Sequence, residues 1–216
     1  MPGAAVIAYV HGERVHAAFM ASVLGVVMNA AVPVEAVDEL GSGPNIARAR
    51  NTLVWKFLDM SAAEWLWMTD TDMVFAPDAL DRLVAAADPA ERPVVGALCY
   101  SQHPDTGDPV STMYELAERD GQLVFIPYRQ WPEDACVRVA ATGAACLLMH
   151  RDALERIAEK TVEPAAPWFR ETVIGRQLIG EDLTFCLRAA AAGVPVHVHT
   201  GVQAGHMKPV MLGKVT

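Results

Sequence analysis

Trp65-Leu66-Trp67-Met68-Thr69-Asp70-Thr71-Asp72 is the stretch on which the fold turns. Its first five residues form a hydrophobic run that reads as a buried strand, and the run ends in two acids. Carboxylates are costly to desolvate unless something positive meets them. On an extended segment the side chains of residues i and i+2 lean to the same face, so Asp70 and Asp72 are placed to share one divalent cation. Oxygen ligands suit Mg²⁺ or Mn²⁺, and Mg²⁺ is usually held by one or two carboxylates plus substrate phosphates. The competing reading is an acidic strand-to-helix turn, with Asp72 solvated and Pro77-Asp78 starting the next helix.

On either side of this strand, apolar runs alternate with helical periodicity. Residues 4–10 read as a buried strand, 15–30 as a helix and 32–37 as a second strand. After the loop Gly41-Ser42-Gly43-Pro44, Asn45 caps a helix that runs to about Met60. The third strand spans 64–69, a helix with Pro77 at its start spans 77–87, and the fourth strand spans 93–98. This βαβαβαβ order predicts a parallel sheet with right-handed crossovers. Residues 100–135 break the rhythm with Gly107, Pro109, Gly121, Pro127 and Pro132, and short strands near 110–115 and 122–126 fit a hairpin. A strand-like run over 137–149 is interrupted at Thr142-Gly143. A helix over 151–160, a loop over 161–179, a helix over 182–192, a strand over 194–198 and a loop with Gly205-His206 complete the chain.

With 216 residues the chain suits one α/β domain, and its 52% hydrophobic content supplies a core that rules out extended disorder. The net charge of −9 argues against broad electrostatic capture of nucleic acid. The longest apolar stretch, residues 17–37, is broken by Asn29, Pro33 and Glu35 and falls short of the ~20 clean residues of a membrane span. The N-terminus lacks the basic region of a signal peptide. Cys99, Cys136, Cys146 and Cys186 show no CxxC spacing, which fits buried free thiols in a reduced, cytoplasmic setting. Oligomeric state is left open.

Four further groups carry chemistry. Arg50 lies in the middle of the apolar stripe formed by Ile46, Leu53, Val54 and Phe57. A guanidinium there needs an anion: a diphosphate, Asp70 or Asp72, or some other acid in a structural pair. Arg48 and Asn51 flank the same turn. Gly180-Glu181-Asp182 opens a helix, where acids either cap the helix or take a proton from an acceptor hydroxyl. His206 is a candidate to complete a metal shell, and Lys208 to meet a phosphate. His197 and His199 alternate on one strand face, and with His206 they raise a three-histidine zinc site as a remote alternative. Trp131 and Trp168 are candidates to stack on a sugar or base, or to pack in the core. Gly41-Ser42-Gly43 lacks the third glycine of a dinucleotide fingerprint, and no P-loop or GxSxG elbow is present.

Taken in order, Asn45-Ile46-Ala47-Arg48-Ala49-Arg50-Asn51, the 65–73 stretch, Thr142-Gly143-Ala144-Ala145-Cys146-Leu147-Leu148, Gly180-Glu181-Asp182-Leu183-Thr184-Phe185-Cys186-Leu187-Arg188 and Gly205-His206 resemble GT-A glycosyltransferases. The likeness is to family 2-like enzymes and small bacterial and phage glycosyltransferase-like proteins. It covers roughly residues 4–206. It implies a single GT-A, Rossmann-like α/β domain over residues 1–216, with a mostly parallel mixed sheet flanked by helices. Residues 1–99 would be the nucleotide-sugar half, and 100–216 the acceptor-side half with a metal-binding tail.

The resemblance also implies a donor that is a nucleotide-diphosphate sugar, UDP- or GDP-linked, held through Mn²⁺ or Mg²⁺. Asp70, Asp72 and His206 take the metal by position, and Tyr9, Val10 and His11 border the nucleobase and ribose. Arg48, Arg50, Asn51, Asp70 and Lys208 complete the donor side. Asp182, with Glu181 beside it, is the catalytic candidate. The sequence Tyr9-Val10-His11-Gly12 replaces the usual Pro-x-Tyr-Asn of the family. Small molecules, glycans and modified bases of phage DNA are the acceptors considered, and inversion and retention both stay open. The rival functions are a GT-A module that binds nucleotide or glycan without turnover, and a nucleotidyltransferase.

Overall fold

The computed structural model describes residues 3–209 apart from positions 104, 120 and 176. The first half runs β1 (Ala5–His11), α1 (Ala17–Asn29), β2 (Val34–Gly41), α2 (Ile46–Met60), β3 (Trp65–Asp70), β4 (Met73–Val74), α3 (Ala79–Ala86) and β5 (Val94–Leu98). Two small ribbons follow, β6 (Tyr100–Gln102) with β7 (Pro109–Ser111) and β8 (Tyr114–Arg119) with β9 (Gln122–Pro127). The chain then forms β10 (Cys136–Val139), β11 (Cys146–His150), α4 (Arg151–Lys160), β12 (Thr172–Ile174), β13 (Gln177–Ile179), α5 (Glu181–Ala191), β14 (Val196–Gln203) and β15 (Gly205–His206).

Seven strands form one mixed sheet in the order β10-β14-β5-β11-β3-β1-β2. Strands β2, β1, β3, β5 and β14 run one way, and β11 and β10 run against them. The carboxyl ends of the parallel set therefore share one edge, where open α/β sheets bind ligands. Both faces of the sheet are covered. Leu66 and Met68 of β3 face a core with Leu53, Phe57, Leu154, Ile157 and Phe185. Trp65 and Trp67 face the opposite core with Phe19, Val23, Leu80 and Leu83. Burial on both faces is why β3 reads as an unbroken apolar run instead of an alternating one.

The structure differs from the sequence expectation at several points. The run over 137–149 splits into β10 at one edge of the sheet and β11 inserted antiparallel between β3 and β5, because the chain returns from the 100–135 excursion in the reverse direction. Helix α3 begins at Ala79, with Pro77 outside it. Residues 172–179, expected as loop, form the β12–β13 hairpin, which turns at Gly175 (φ +62°), a conformation that glycine adopts without strain. Gly205-His206 is an antiparallel partner of β4 rather than loop. Among the described residues no helix is long and apolar enough to cross a membrane.

The segment before β12 is fastened chiefly through Asn51. Asn51 is 3% exposed. Its Nδ2 donates to Ala47 O (2.7 Å) and Phe169 O (2.6 Å), and its Oδ1 accepts the Trp168 and Phe169 N–H groups (3.2 and 3.3 Å). The Trp168 indole donates to Leu154 O (2.8 Å) and is fully buried. Replacing Asn51 with Ala strands buried backbone donors and an acceptor, each costly to leave unpaired. Urea denaturation of Asn51→Ala is expected to show a loss of about 3 kcal/mol; unchanged stability would mean that the segment is held by other contacts.

Candidate active site

Arg50 is the centre of the carboxyl-edge site. It is 2% exposed. One terminal nitrogen donates to Asp70 Oδ1 (2.6 Å), at the end of β3, and the other donates to Glu181 Oε1, at the start of α5. The guanidinium lies 5.8 Å from the Phe169 ring centroid, and that ring stacks on Phe185. Burial opposes the charged form, but Asp70 and Glu181 outweigh it and hold the Arg50 pKa above its ordinary value. The planar fork suits two separate carboxylates in a way that a lysine point charge does not. The position of Arg50 is set by α2, whose first turn is capped by Asn45 Oδ1 accepting the Arg48 N–H (2.8 Å).

The two acids of the Asp70-Thr71-Asp72 motif part company. The premise of an extended segment fails because residues 71 and 72 form a turn between β3 and β4. Asp70 goes to Arg50, while Asp72 Oδ2 meets His206 Nε2 (2.8 Å) and Lys208 Nζ (3.1 Å). Burial raises the Asp72 pKa, but Lys208 and His206 overcome it, so the carboxyl lies below its usual range and is ionised at neutral pH. His206 Nδ1 lies 2.7 Å from Tyr100 O, and Met207 N donates to Asp72 O (2.8 Å), so the tail is stitched across the motif. His197 and His199 lie on β14, away from this cluster. Among the described residues no three histidine, cysteine or acidic side chains converge as a ready-made metal cage.

A cavity of about 350 Å³ opens beside Arg50, bounded by Asp70, Tyr100, Thr112, Tyr114, Gly143, Asp182 and His206. Asp182 accepts the Leu183 N–H (2.8 Å). Burial, reinforced by the neighbouring Glu181 charge, pushes its carboxyl above the ordinary range. Glycine at 143 leaves room in front of this group, since a Cβ there would lie 3.5 Å from Asp182 Oδ2. The 142–145 segment is fixed by Ala145 O, which accepts from Asp70 N and Thr69 Oγ1 (both 3.0 Å). Cys99 also lines the cavity, but burial raises its thiol far out of the nucleophilic range.

The first strand ends at the same edge of the sheet as β3. Tyr9 packs edge-on against Phe19, and Val10 is buried in the core beneath α2, so only its backbone faces the edge. His11 pairs through Nε2 with Glu39 at the end of β2, and its pKa is raised by the Gly12 carbonyl and by Glu39. Arg48 is exposed and borders another cavity, of about 610 Å³, between α2 and residues 165–171, which shares Ile46 and Glu181 with the cavity beside Arg50. The Asn51 amide is spent on backbone groups and offers nothing to a ligand. Sequence reasoning missed Glu39, Tyr114 and Thr112. An acid at the carboxyl end of β2 was a usable signal for Glu39; Tyr114 and Thr112 reach the site through ribbons that lack a periodic pattern.

A three-layer mixed α/β sheet with this arrangement at its carboxyl edge is the GT-A fold of glycosyltransferases. Residues 4–215 match the model of the glycosyltransferase-like family 2, and the chain belongs to that family. It is a glycosyltransferase that uses a nucleotide-sugar donor. Among solved structures it resembles A197 from STIV, with TM-score 0.59 and 15% identity over 95% of this chain and 86% of that one. It also resembles GalNAc-T7, determined with UDP, GalNAc and Mn²⁺, with TM-score 0.61 and 11% identity over 94% of this chain. The chain spans 44% of the GalNAc-T7 chain. No curated protein matches the sequence significantly.

The Arg50 cluster makes a direct prediction. Arg50→Ala leaves two carboxylates facing each other without a cation and is expected to cost about 3–5 kcal/mol in urea unfolding. The triple variant Arg50→Met, Asp70→Asn, Glu181→Gln, which removes the charges together, is expected to recover most of that loss. Equal instability of both proteins would show that the charge balance is not what holds this point.

Proposed function

We propose that this chain is a metal-dependent transferase that moves a sugar from a UDP- or GDP-linked donor to an acceptor hydroxyl, with Asp182 as the base of an inverting displacement. The observation that carries the reading is the division of the acids. Asp70 and Glu181 are both paired with Arg50, Asp72 is turned toward His206, and Asp182, of the three carboxylates that line the cavity, is the one whose proton affinity is raised.

The donor set fits a divalent cation. His206 has a carbonyl at Nδ1 and a carboxylate at Nε2, two acceptors around one ring. A neutral imidazole donates from one nitrogen only. With its proton on Nδ1 toward Tyr100 O, its Nε2 lone pair faces Asp72 Oδ2, a pair of donors suited to a cation in addition to the Lys208 ammonium, and a carbonyl behind the ring is the usual support for a ligating histidine. Asp72 and His206 would hold the ion, with diphosphate oxygens and water completing the shell. When bound, it supplies charge stabilisation for the departing nucleoside diphosphate. Lys208 reaches the same anion. Tyr9, His11 and Glu39 border the nucleoside, and Asp70 keeps one oxygen for the donor.

In the transfer step the acceptor oxygen forms a bond to the anomeric carbon as the bond from that carbon to the diphosphate oxygen breaks. The electron pair leaves with the nucleoside diphosphate, and the acceptor proton passes to Asp182. A raised carboxyl pKa improves a base that works near neutral pH. A cytoplasmic setting is supported by four free cysteines, of which burial pushes Cys146 and Cys186 up to about 12.

Thermal shift with UDP, GDP, CDP and dTDP, each with and without Mn²⁺, is expected to give a metal-dependent rise with one nucleotide. Asp72→Asn is expected to abolish that rise; an undiminished rise contradicts the ligand assignment. Asp182→Asn is expected to keep the rise and to lower sugar-nucleotide turnover by about 10²–10⁴-fold. Because ionised Asp182 is disfavoured by the fold, Asp182→Asn is also expected to raise stability at neutral pH. The sign for activity follows from the same shift. The base works only when deprotonated, so wild-type turnover falls as pH drops through a value above the 3.8 of an ordinary aspartate. An acid limb at or below that value contradicts the assignment of Asp182.

A further inference from the structure

We propose that the cavity between the β6–β7 ribbon and residues 126–131 is an acceptor subsite that binds a pyranose ring, so that the acceptor is an oligosaccharide. The inference rests on the glycosyltransferase reading and names its acceptor class. The cavity holds about 420 Å³ and is lined by Tyr100, Tyr128 and Trp131, with Pro109 and Pro127 in its walls. That volume lies within the range of small-ligand sites, about 300–1,000 Å³. Tyr100 also lines the cavity that holds Asp182, and its carbonyl is the group behind His206. One residue therefore separates the second cavity from the transfer centre.

The lining has the chemistry of a sugar platform. Trp131 and Tyr128 are half-buried, in contrast to Trp168, which is sealed in the core. A pyranose presents one face of C–H groups that packs on an indole or phenol ring, and its hydroxyls need polar neighbours at the edge. His103 accepts the Asp105 N–H at Nδ1 (3.2 Å), which leaves its proton on Nε2, and Arg129 is exposed at the rim. The platform is stiff. Tyr128 N donates to Met113 O (2.9 Å), Ser111 Oγ donates to Tyr128 O (2.9 Å), and the prolines limit the backbone, so little conformational freedom is lost on binding.

A flipped or single-stranded base would also stack on aromatic rings, but nucleic acid needs a basic track for its phosphates. Here Glu133 follows Trp131, Asp105 and Asp108 follow His103, and the chain carries a net charge of −9, while Asp134 is paired with Arg82. The surroundings favour a glycan.

The test uses the full chain without donor. Saturation-transfer NMR and tryptophan fluorescence titrations are run with maltotriose, cellotriose, chitotriose, trigalacturonate and a ten-residue thymidine oligonucleotide. At least one trisaccharide is expected to bind, with affinity lowered about tenfold or more in Trp131→Ala and largely retained in Trp131→Phe. Trp131→Phe keeps the ring and the packing, so a folding defect in the alanine variant does not hide the result. Binding of no trisaccharide, binding that Trp131→Ala leaves intact, or Trp131-dependent binding of the oligonucleotide alone overturns the subsite. The metal-dependent nucleotide shift is read on the same proteins. Its loss with saccharide binding intact would remove the donor reading and leave the subsite standing, and the reverse pattern would do the opposite.

Discussion

A single buried guanidinium sets the geometry of this molecule. Arg50 projects from α2 into the core side of the sheet edge, where an unpaired charge would be prohibitive. It is tolerated because β3 delivers Asp70 to one nitrogen and α5 delivers Glu181 to another. A strand end and a helix start, 111 positions apart in sequence, are thereby held to one point (181 − 70). The cost of burial fixes the arrangement, since moving either carboxylate away leaves a charge without compensation. Asp72, in the turn after β3, and Asp182, beside Glu181 on α5, are neighbours of this junction and make no ion pair with Arg50.

The mixed sheet explains how residues far apart in sequence meet at one edge. The strands β1, β2 and β3 bring His11, Glu39 and Asp70 to their shared carboxyl ends. Inserting β11 antiparallel beside β3 sends the 142–145 turn alongside Asp70 and up to α5. Thr142 N donates to Cys186 Sγ (3.4 Å), which ties that turn to the helix carrying Asp182. An all-parallel continuation would place another helix crossover there, where Gly143, Ala144 and Ala145 line the cavity beside Asp182.

Most of the fold was legible in the sequence because its core strands are buried on both faces and its helices have clear stops. Helix α4 matches residues 151–160 as read, and the Asn45 cap of α2 forms as expected. The position of β11 was not legible, since an antiparallel return has no local signature and depends on the long 100–135 excursion. At the site, the core-face placement of Arg50 announced an anionic partner, a diphosphate or a carboxylate, and the structure supplies Asp70 and Glu181. That Glu181 is one partner and Asp182 is not was hidden, because adjacent acids at a helix start look alike until the helix is docked. The reading of Asp70 and Asp72 as one-faced failed for a local reason. A turn at 71–72 replaces the extended backbone that the argument required.

The central claim is that Arg50 is a fixed structural cation and that the metal and phosphate chemistry belongs to Asp72, His206 and Lys208. A crystal structure of the full chain with Mn²⁺ and the nucleoside diphosphate that binds it tests this most directly. The account predicts manganese on Asp72 and His206, bridged to the diphosphate, with Arg50 still between Asp70 and Glu181. Manganese bound at a different place, or Arg50 withdrawn from Glu181 to grip the phosphates, would contradict it.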